Sequence, residues 1–275
     1  MGITASDVKK LRDMTGSGMM DCKKALVEAE GDMDKAIELL RKKGQKLSAK
    51  RADRDAKEGV VIALVNDDKT KGVVVRLSSE TDFVAKNEDF VELVKKMANV
   101  ALDTFPASKE ELLQQDFGGI TIGEKVIEQV GVIGEKIELA DYQRIEAAQV
   151  ESYIHMGNKA GVLVGLNESG EEVGVAGRNV AMQVAAMNPI ALDKDGVDPT
   201  VIEKEIEIGK EQARQEGKPE AILEKIALGK LNKFFKENTL LNQAYVKDNK
   251  MSISDYLKSV HSNLTVTDFK HVKLG

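Results

Sequence analysis

Two similar units, each rich in β-branched residues and followed by an amphipathic stretch, lie about ninety residues apart in this 275-residue chain. Sliding one unit onto the other places "GVVVRL" (residues 72–77) over "GVLVGL" (161–166) and Met97 over Met187. A strand–strand–helix unit that occurs twice predicts an α+β core with internal pseudo-symmetry. This duplication constrains the fold more than any other feature of the sequence.

The runs within each unit predict its strands and its helix. In the first, "GVVIALV" and "GVVVRLS" flank the turn "NDDKTK" and predict a hairpin, and Asn87 is placed to cap the helix that follows. In the second, "VESYIH", "GVLVGLN" and "EEVGVAG" predict strands, and "RNVAMQVAAMN" predicts a helix. We therefore assign residues 59–149 to the first half of the core and residues 150–197 to the second half.

Helical segments surround this core. Residues 1–43 predict a bundle of three short helices. Residues 44–58 are so polar and charged that they predict a solvated linker, either a tether or a solvated helix. Residues 104–140 are helical in places and predict a connection between the two halves. Residues 198–245 contain two charged amphipathic stretches around "EGKP", which predict an inserted antiparallel helical hairpin. Residues 246–275 predict a helix and a strand that complete the core.

Composition limits the classes of function. The net charge of −6 argues against a general nucleic-acid binder, although the basic linker locally resembles a nucleic-acid patch. The single cysteine, Cys22, cannot form an internal disulfide, so we expect a reducing, cytoplasmic compartment. No apolar run approaches the ~20 residues needed to span a bilayer, so we expect no membrane association.

The sequence contains no recognisable catalytic constellation. His155, His261 and His271 lie far from one another in sequence, without a second histidine or a cysteine at metal-ligand spacing. "GSGMMD" departs from a dinucleotide fingerprint at Asp21, and "GLNESGEE" places Glu171 where a phosphate-binding lysine would stand. We therefore expect no enzyme activity, no metal site and no cofactor, and a function carried by surfaces.

Two stretches carry apolar side chains that a protein core does not require. In "TGSGMMDCKKAL", Met19 and Met20 are adjacent, so that either one packs inward or both meet a partner. In "SSETDFVAKNEDF", Phe83 lies four residues before the cap Asn87, outside the position of a hydrophobic staple. From the residues alone, Phe83 is equally well explained as a core residue or as a contact residue.

At these two stretches the chain closely resembles the elongation factor Ts family, the guanine-nucleotide exchange factors of the translational GTPase elongation factor Tu. The similarity is carried by "MTGSGMMDCKKALVEAEGDMDKAIELLRKKG", by "TDFVA" at residues 81–85 and by "SYIHMGNKAGVLV" at residues 152–164, and it runs through the whole chain. The resemblance implies a three-helix ubiquitin-associated-like module, a two-part α+β core and a protruding coiled-coil hairpin.

The resemblance also implies the contact residues. A turn would push into the GTPase domain of elongation factor Tu, disturb its Mg²⁺ and phosphate site, and release GDP so that GTP can load. The residues implied in this turn are Thr81, Asp82, Phe83 and Val84. The other contacts implied are those of Arg12, Met19 and Met20 in the helical module and of His155 with a second partner domain. Some family members continue beyond "FKHVKLG" into a further helical module, so we expect any contact made by that module to be missing here.

Three questions stay open at the level of sequence. The hairpin at residues 198–245 could pair with a second copy of the chain. A ubiquitin-like or nucleic-acid-binding adaptor would use the first module and the basic linker as its functional end. A small-molecule enzyme would need a convergent polar pocket that the sequence does not reveal. Stable binding to a nucleotide-free GTPase separates an exchange factor from both of these rivals.

Overall fold

The computed structural model describes residues 2–275, in which it contains eleven α-helices and eight strands. The first part contains α1 (Ala5–Thr15), α2 (Met19–Glu28), α3 (Met33–Arg51), β1 (Glu58–Val65), β2 (Lys71–Ser79), α4 (Asp82–Ala85) and α5 (Glu88–Thr104). The middle part contains α6 (Lys109–Leu113), α7 (Ile122–Ile133), β3 (Glu138–Glu146), β4 (Gln149–His155), β5 (Ala160–Leu166) and α8 (Glu171–Met187). The last part contains α9 (Pro199–Gln215), α10 (Glu220–Asn238), β6 (Ala244–Tyr245), β7 (Asp248–Ser252), α11 (Ile253–Val260) and β8 (Val266–Lys273).

Two three-stranded antiparallel sheets face each other at the centre of the chain, with the strand orders β1-β2-β3 and β4-β5-β8. Buried side chains such as Val61, Val74 and Leu163 fill the space between them. The outer face of the first sheet packs against α5, α6 and α7, and that of the second against α8 and α11. Because both faces are covered, the central strands are continuously apolar rather than alternating.

The two halves of the core repeat the same order of elements, and the chain has the predicted α+β class. Each half contributes two paired strands, a long helix and further helices before the third strand of its sheet. The close approach of the two sheets requires a glycine on β5. A Cβ at Gly161 would lie 2.9 Å from Cγ1 of Val61, closer than packed side chains allow.

The segment "EEVGVAG", predicted to be a strand, forms the first turns of α8. Its valines and glycines are typical of strands and bulges, but here the glycines allow the helix to lie close to the sheet. A Cβ at Gly174 would lie 2.6 Å from Nε2 of Gln149, and one at Gly177 would lie 2.6 Å from Cδ1 of Leu166. Close packing of the helix on the sheet therefore explains the composition that we read as a strand.

Residues 104–140 are part of the core and not merely a connection. Helix α7 buries Ile122, Val126 and Val130 in the first core cluster. The strand β3 begins at Glu138 and pairs with β2, although no strand was predicted there.

The N-terminal helices α1, α2 and α3 enclose a small cluster of their own, which includes Leu11, Cys22 and Leu26. The third helix does not end at residue 43 as predicted but continues to Arg51. Gly44 is buried against α7, where a Cβ would lie 2.9 Å from the carbonyl oxygen of Ile127. The first half of the predicted solvated linker is therefore a helix packed on the core.

The helices α9 and α10 lie along each other and are joined by residues 216–219. Their backbones approach closely at Gly209, where a Cβ would lie 3.1 Å from Cα of Ala227. After this pair, α11 packs on the second sheet and β8 completes it. No helix within residues 2–275 combines the length and apolarity needed to cross a membrane.

Candidate functional site

The turn that carries Phe83 is the short helix α4, between β2 and the cap of α5. The Phe83 side chain is 82% exposed, whereas the neighbouring Val84 packs against the first core cluster. The interpretation of Phe83 as a core residue is therefore wrong. Single exposed apolar residues are common on protein surfaces, so exposure alone does not identify Phe83 as a contact residue. The way in which the backbone of the turn is held gives further information.

The backbone of the turn is held by the carboxylate of Glu135, which follows α7. Its Oε2 accepts hydrogen bonds from the backbone N–H groups of Glu80 (3.1 Å) and Thr81 (3.0 Å). Its Oε1 accepts a hydrogen bond from the Thr81 hydroxyl at 2.7 Å. For this reason Thr81 stands at the N-cap of α4 without making the usual side-chain cap. Three hydrogen bonds to a charged acceptor fix the residues immediately before Phe83.

A second carboxylate, that of Glu80, joins the turn to the end of α3. Its Oε1 accepts hydrogen bonds from Nη1 of Arg51 and from the backbone N–H of Lys136, both at 2.6 Å. Its Oε2 accepts one from Nη1 of Arg54 at 2.9 Å. Partial burial acts to raise the pKa of Glu80, but the bonds from Lys136, Arg54 and Arg51 outweigh it and lower the pKa to about 2. Glu80 is therefore ionised at neutral pH.

Glu80→Gln is expected to change how stability depends on pH. The pKa of Glu80 falls from its ordinary value of 4.5 to about 2 in the folded chain, so its ionised form stabilises the fold above pH 4.5. This contribution is lost as the pH falls towards 2. The pH-dependent part of the difference in unfolding free energy between the two proteins is at most about 3.4 kcal/mol, and solvent screening reduces it. Urea unfolding should show this difference shrinking below about pH 5, and a constant difference would contradict the assignment.

Asp82 presents an ionised carboxylate beside Phe83. Nζ of Lys86 donates a hydrogen bond to its Oδ2 at 2.6 Å, and this bond, together with the Lys86 charge, lowers the pKa of Asp82. The Asp82 side chain is 46% exposed, so the carboxylate can still meet an outside donor or cation. Residues 2–275 contain no cluster of three or more potential metal ligands, so Asp82 belongs to no metal centre of that kind in this part of the chain.

The N-terminal module lies next to this turn. A groove of about 320 Å³ beside Phe83 is lined by residues that include Val132 and Ile133 at the end of α7. A Cβ at Gly16, in the loop between α1 and α2, would lie 3.9 Å from Cγ1 of the same Val132. Helix α7 therefore lies close to the loop before Met19, and its end lines the groove beside the turn that carries Phe83.

The predicted contact residues of this module are on its surface. Met19 and Met20 are 59% and 64% exposed at the start of α2, so neither packs inward. The Arg12 side chain is exposed in the last turn of α1, beside the loop that α7 contacts. The structure thus places these three side chains where a partner could reach them.

His155 lies at the end of β4, on a different groove. Its ring is partly buried, and the Tyr153 hydroxyl lies 3.2 Å from its Nδ1. The groove has a volume of about 540 Å³, and the side chains lining it include Met156, Lys159 and His271. Burial, followed by the charges of Lys273 and His155, lowers the pKa of His271. The charge of Lys159, which lines this groove, also helps to lower the pKa of Asp82.

Sequence reasoning missed several residues of this region. Met156 is 70% exposed next to His155, and its position directly after a predicted strand could have drawn attention to it. Glu80 directly precedes the "TDFVA" stretch, but nothing local indicates its partners. Arg51 was assigned to a solvated linker, and Glu135 is 54 residues from Thr81.

Comparison with known proteins agrees with these observations. The family model described as "Elongation factor TS" matches residues 80–275. Proteins named elongation factor Ts from Christiangramia forsetii and Flavobacterium psychrophilum are 59% and 58% identical to the chain over 273 residues, covering 99% of each chain. The protein of that name from Amoebophilus asiaticus is 55% identical over 276 residues, covering both chains in full. The family match and the full-length relatives agree, and the chain belongs to the elongation factor Ts family.

Proposed function

We propose that the chain binds elongation factor Tu in its GDP-bound form and accelerates the release of GDP, so that GTP can load. The turn that carries Phe83 enters the GTPase domain and disturbs the Mg²⁺ and phosphate site. The observation that carries this proposal is the 82% exposure of Phe83 on a turn that two carboxylates hold in place. An exposed aromatic side chain on a fixed backbone can insert into a partner and displace groups there, and we call Phe83 a wedge in this sense.

The proposed mechanism is linkage between two ligands of the same GTPase. GDP is bound through its phosphates and through Mg²⁺. A protein that binds best to a distorted form of this site weakens the binding of GDP. By reciprocity, GDP weakens the binding of the exchange factor by the same factor. A 10⁴-fold loosening of GDP would require roughly 5.5 kcal/mol of differential binding free energy. One phenylalanine cannot supply that amount, so a broad contact surface is needed.

The remaining predicted residues would provide this surface. Met19 and Met20 offer adaptable apolar contacts and Arg12 offers a charged one, and all three are exposed. His155 would contact a second domain of the partner from its own groove. Asp82 is charged and accessible, so it would compete for the Mg²⁺ ion or for the groups that order it. Binding free energy from these sites would be converted into distortion at Phe83.

In this mechanism the chain breaks no bond of its own. It would act in the cytoplasm, where elongation factor Tu works, and it would use no cofactor. The α9–α10 pair would project as a coiled-coil hairpin, and its pairing with a second copy remains a prediction that sedimentation velocity can test as a concentration-dependent dimer. The helices α1 to α3 would form the ubiquitin-associated-like module that the sequence predicts.

The proposal is tested directly by the release of a fluorescent GDP analogue from elongation factor Tu in a stopped-flow instrument. The full chain should accelerate release in proportion to its concentration until it saturates. It should also form a stable complex with the nucleotide-free GTPase. An adaptor protein would do neither, and a release rate that is independent of the chain would exclude the proposed function.

A further inference from the structure

We propose that Glu80 is a positioning residue that ties the turn carrying Phe83 to the end of α3, so that the N-terminal module and the wedge move as one body. This inference rests on the proposed function, which it deepens by naming a residue that the family resemblance does not assign. Glu80 would not touch the partner, because its side chain is only 15% exposed and is turned towards α3. Its role would be exerted through the backbone that leads to Phe83.

The first support is the number of bonds that meet at the end of α3. Besides the bonds from Arg51 and Arg54 to Glu80, Nζ of Lys136 donates to the carbonyl oxygens of Ala52 (2.8 Å) and Arg54 (3.0 Å). The turn, the end of α3 and the segment after α7 are therefore joined through charged groups. Such bonds are stronger and more directional than neutral ones.

The second support is the crossing of α3 and α7. A Cβ at Gly131 would lie 3.1 Å from Cα of Gly44, so the two backbones nearly touch at this point. Helix α3 thus rests on α7 in its middle and is bonded to the turn at its end. Glu135, two residues after the end of α7, holds the same turn through the backbone N–H groups of Glu80 and Thr81. Two packed helices can hold a loop more precisely than either could alone.

The third support is that little else orients Phe83. Its side chain is largely exposed, so its direction depends mainly on the backbone of residues 79–82. A mobile wedge would lose conformational entropy on binding, and less of the binding free energy would then remain for distortion. Fixing this backbone before the partner arrives removes that loss.

A tryptophan reporter tests the positioning without any partner. The chain contains no tryptophan, so Phe83→Trp gives a fluorescence signal from the turn alone. In this background Glu80→Gln should lower the fluorescence anisotropy, because the turn becomes more mobile. Glu138→Gln is the matched control, since it removes a carboxylate 3.3 Å from Nζ of Lys136 without touching the turn. An equal anisotropy in both variants would overturn the inference.

Exchange kinetics test the consequence in the natural sequence. Glu80→Gln should lower the maximal rate of GDP release by about tenfold, the scale expected for a misplaced wedge, while the half-saturating concentration changes less than about twofold. Glu138→Gln should match the wild type in both quantities. A general loss of folding would instead lower the active fraction, which melting curves measure. If Glu80→Gln exchanges like Glu138→Gln, Glu80 has no positioning role.

A second variant guards against misfolding. Within the described residues, Nε of Arg51 is buried without a hydrogen-bond partner, so Glu80→Gln leaves a poorly compensated charge. Arg51→Gln removes that charge and one of the three bonds to Glu80. It should lower the anisotropy and the maximal rate of GDP release, each by less than Glu80→Gln does. Normal mobility and exchange in Arg51→Gln would overturn the inference. A wild-type chain that does not accelerate GDP release would overturn the proposed function itself. The anisotropy of the Phe83→Trp variants is measured without the partner, so it tests the positioning role of Glu80 independently of GDP release.

Discussion

Phe83→Ala is expected to slow GDP release from elongation factor Tu by about 10- to 100-fold, the size of a coupling free energy of about 1–3 kcal/mol. The melting temperature should hardly change. Truncating a buried phenylalanine costs about 3–5 kcal/mol, but Phe83 is 82% exposed and leaves no cavity. Binding to the nucleotide-free GTPase should fall much less than exchange, because the contacts proposed for Arg12, Met19, Met20 and His155 would remain.

Phe90→Ala is the matched control for this prediction. It is the same chemical change seven positions along the chain, but Phe90 is only 4% exposed and lies in the first core cluster. It should lower the unfolding free energy by about 3–5 kcal/mol while leaving the exchange rate per folded molecule near normal. Thermal melting and stopped-flow release, measured on both variants, separate the two effects. If Phe83→Ala destabilises the chain and exchanges normally, Phe83 is not a wedge.

The parts of the fold that were predicted from the sequence are those with a strong local signal. The runs around Val61, Val74 and Leu163 are buried on both faces, and a continuous apolar run bounded by turn residues predicts such a strand. The strand β3 was missed because its buried residues, Leu139, Tyr142 and Ile145, are three positions apart and do not alternate. An irregularity in its pairing with β2, at Ala140, interrupts the alternation. The first turns of α8 were predicted to be a strand because their valines and glycines are untypical of a helix. The glycines are there because α8 packs closely on the sheet, and local propensity does not account for them.

The residues of the candidate site also differ in whether the local sequence indicates them. Phe83 and the two methionines were found because adjacent or isolated apolar side chains conflict with a local core pattern. Glu135 could not be found, because its hydrogen bond to Thr81 joins residues 54 positions apart and leaves no periodic trace. Arg51 was misread for a related reason. A charged helix end is typical of a solvated segment unless a buried carboxylate from elsewhere in the chain pairs with it.

The close crossing of α3 and α7 leads to a second prediction with a large effect. Gly44→Ala is expected to destabilise the chain by about 1–3 kcal/mol, the usual cost of forcing extra volume into a packed interface. The new Cβ would lie 2.9 Å from the carbonyl oxygen of Ile127, and because backbone atoms cannot move aside alone, the helices must separate. The module would then lose its fixed position, and affinity for the GTPase should fall together with stability.

Gly229→Ala distinguishes this steric effect from the ordinary effect of alanine in a helix. Gly229 lies in α10, is exposed, and would place its Cβ more than 4 Å from any neighbour. The same substitution there should stabilise the chain by about 0.5–1 kcal/mol, because alanine loses less conformational entropy than glycine on folding. The two variants should therefore shift urea unfolding midpoints in opposite directions. If both shift upward, α3 does not rest on α7, and residues 44–58 are the free linker that their composition suggests.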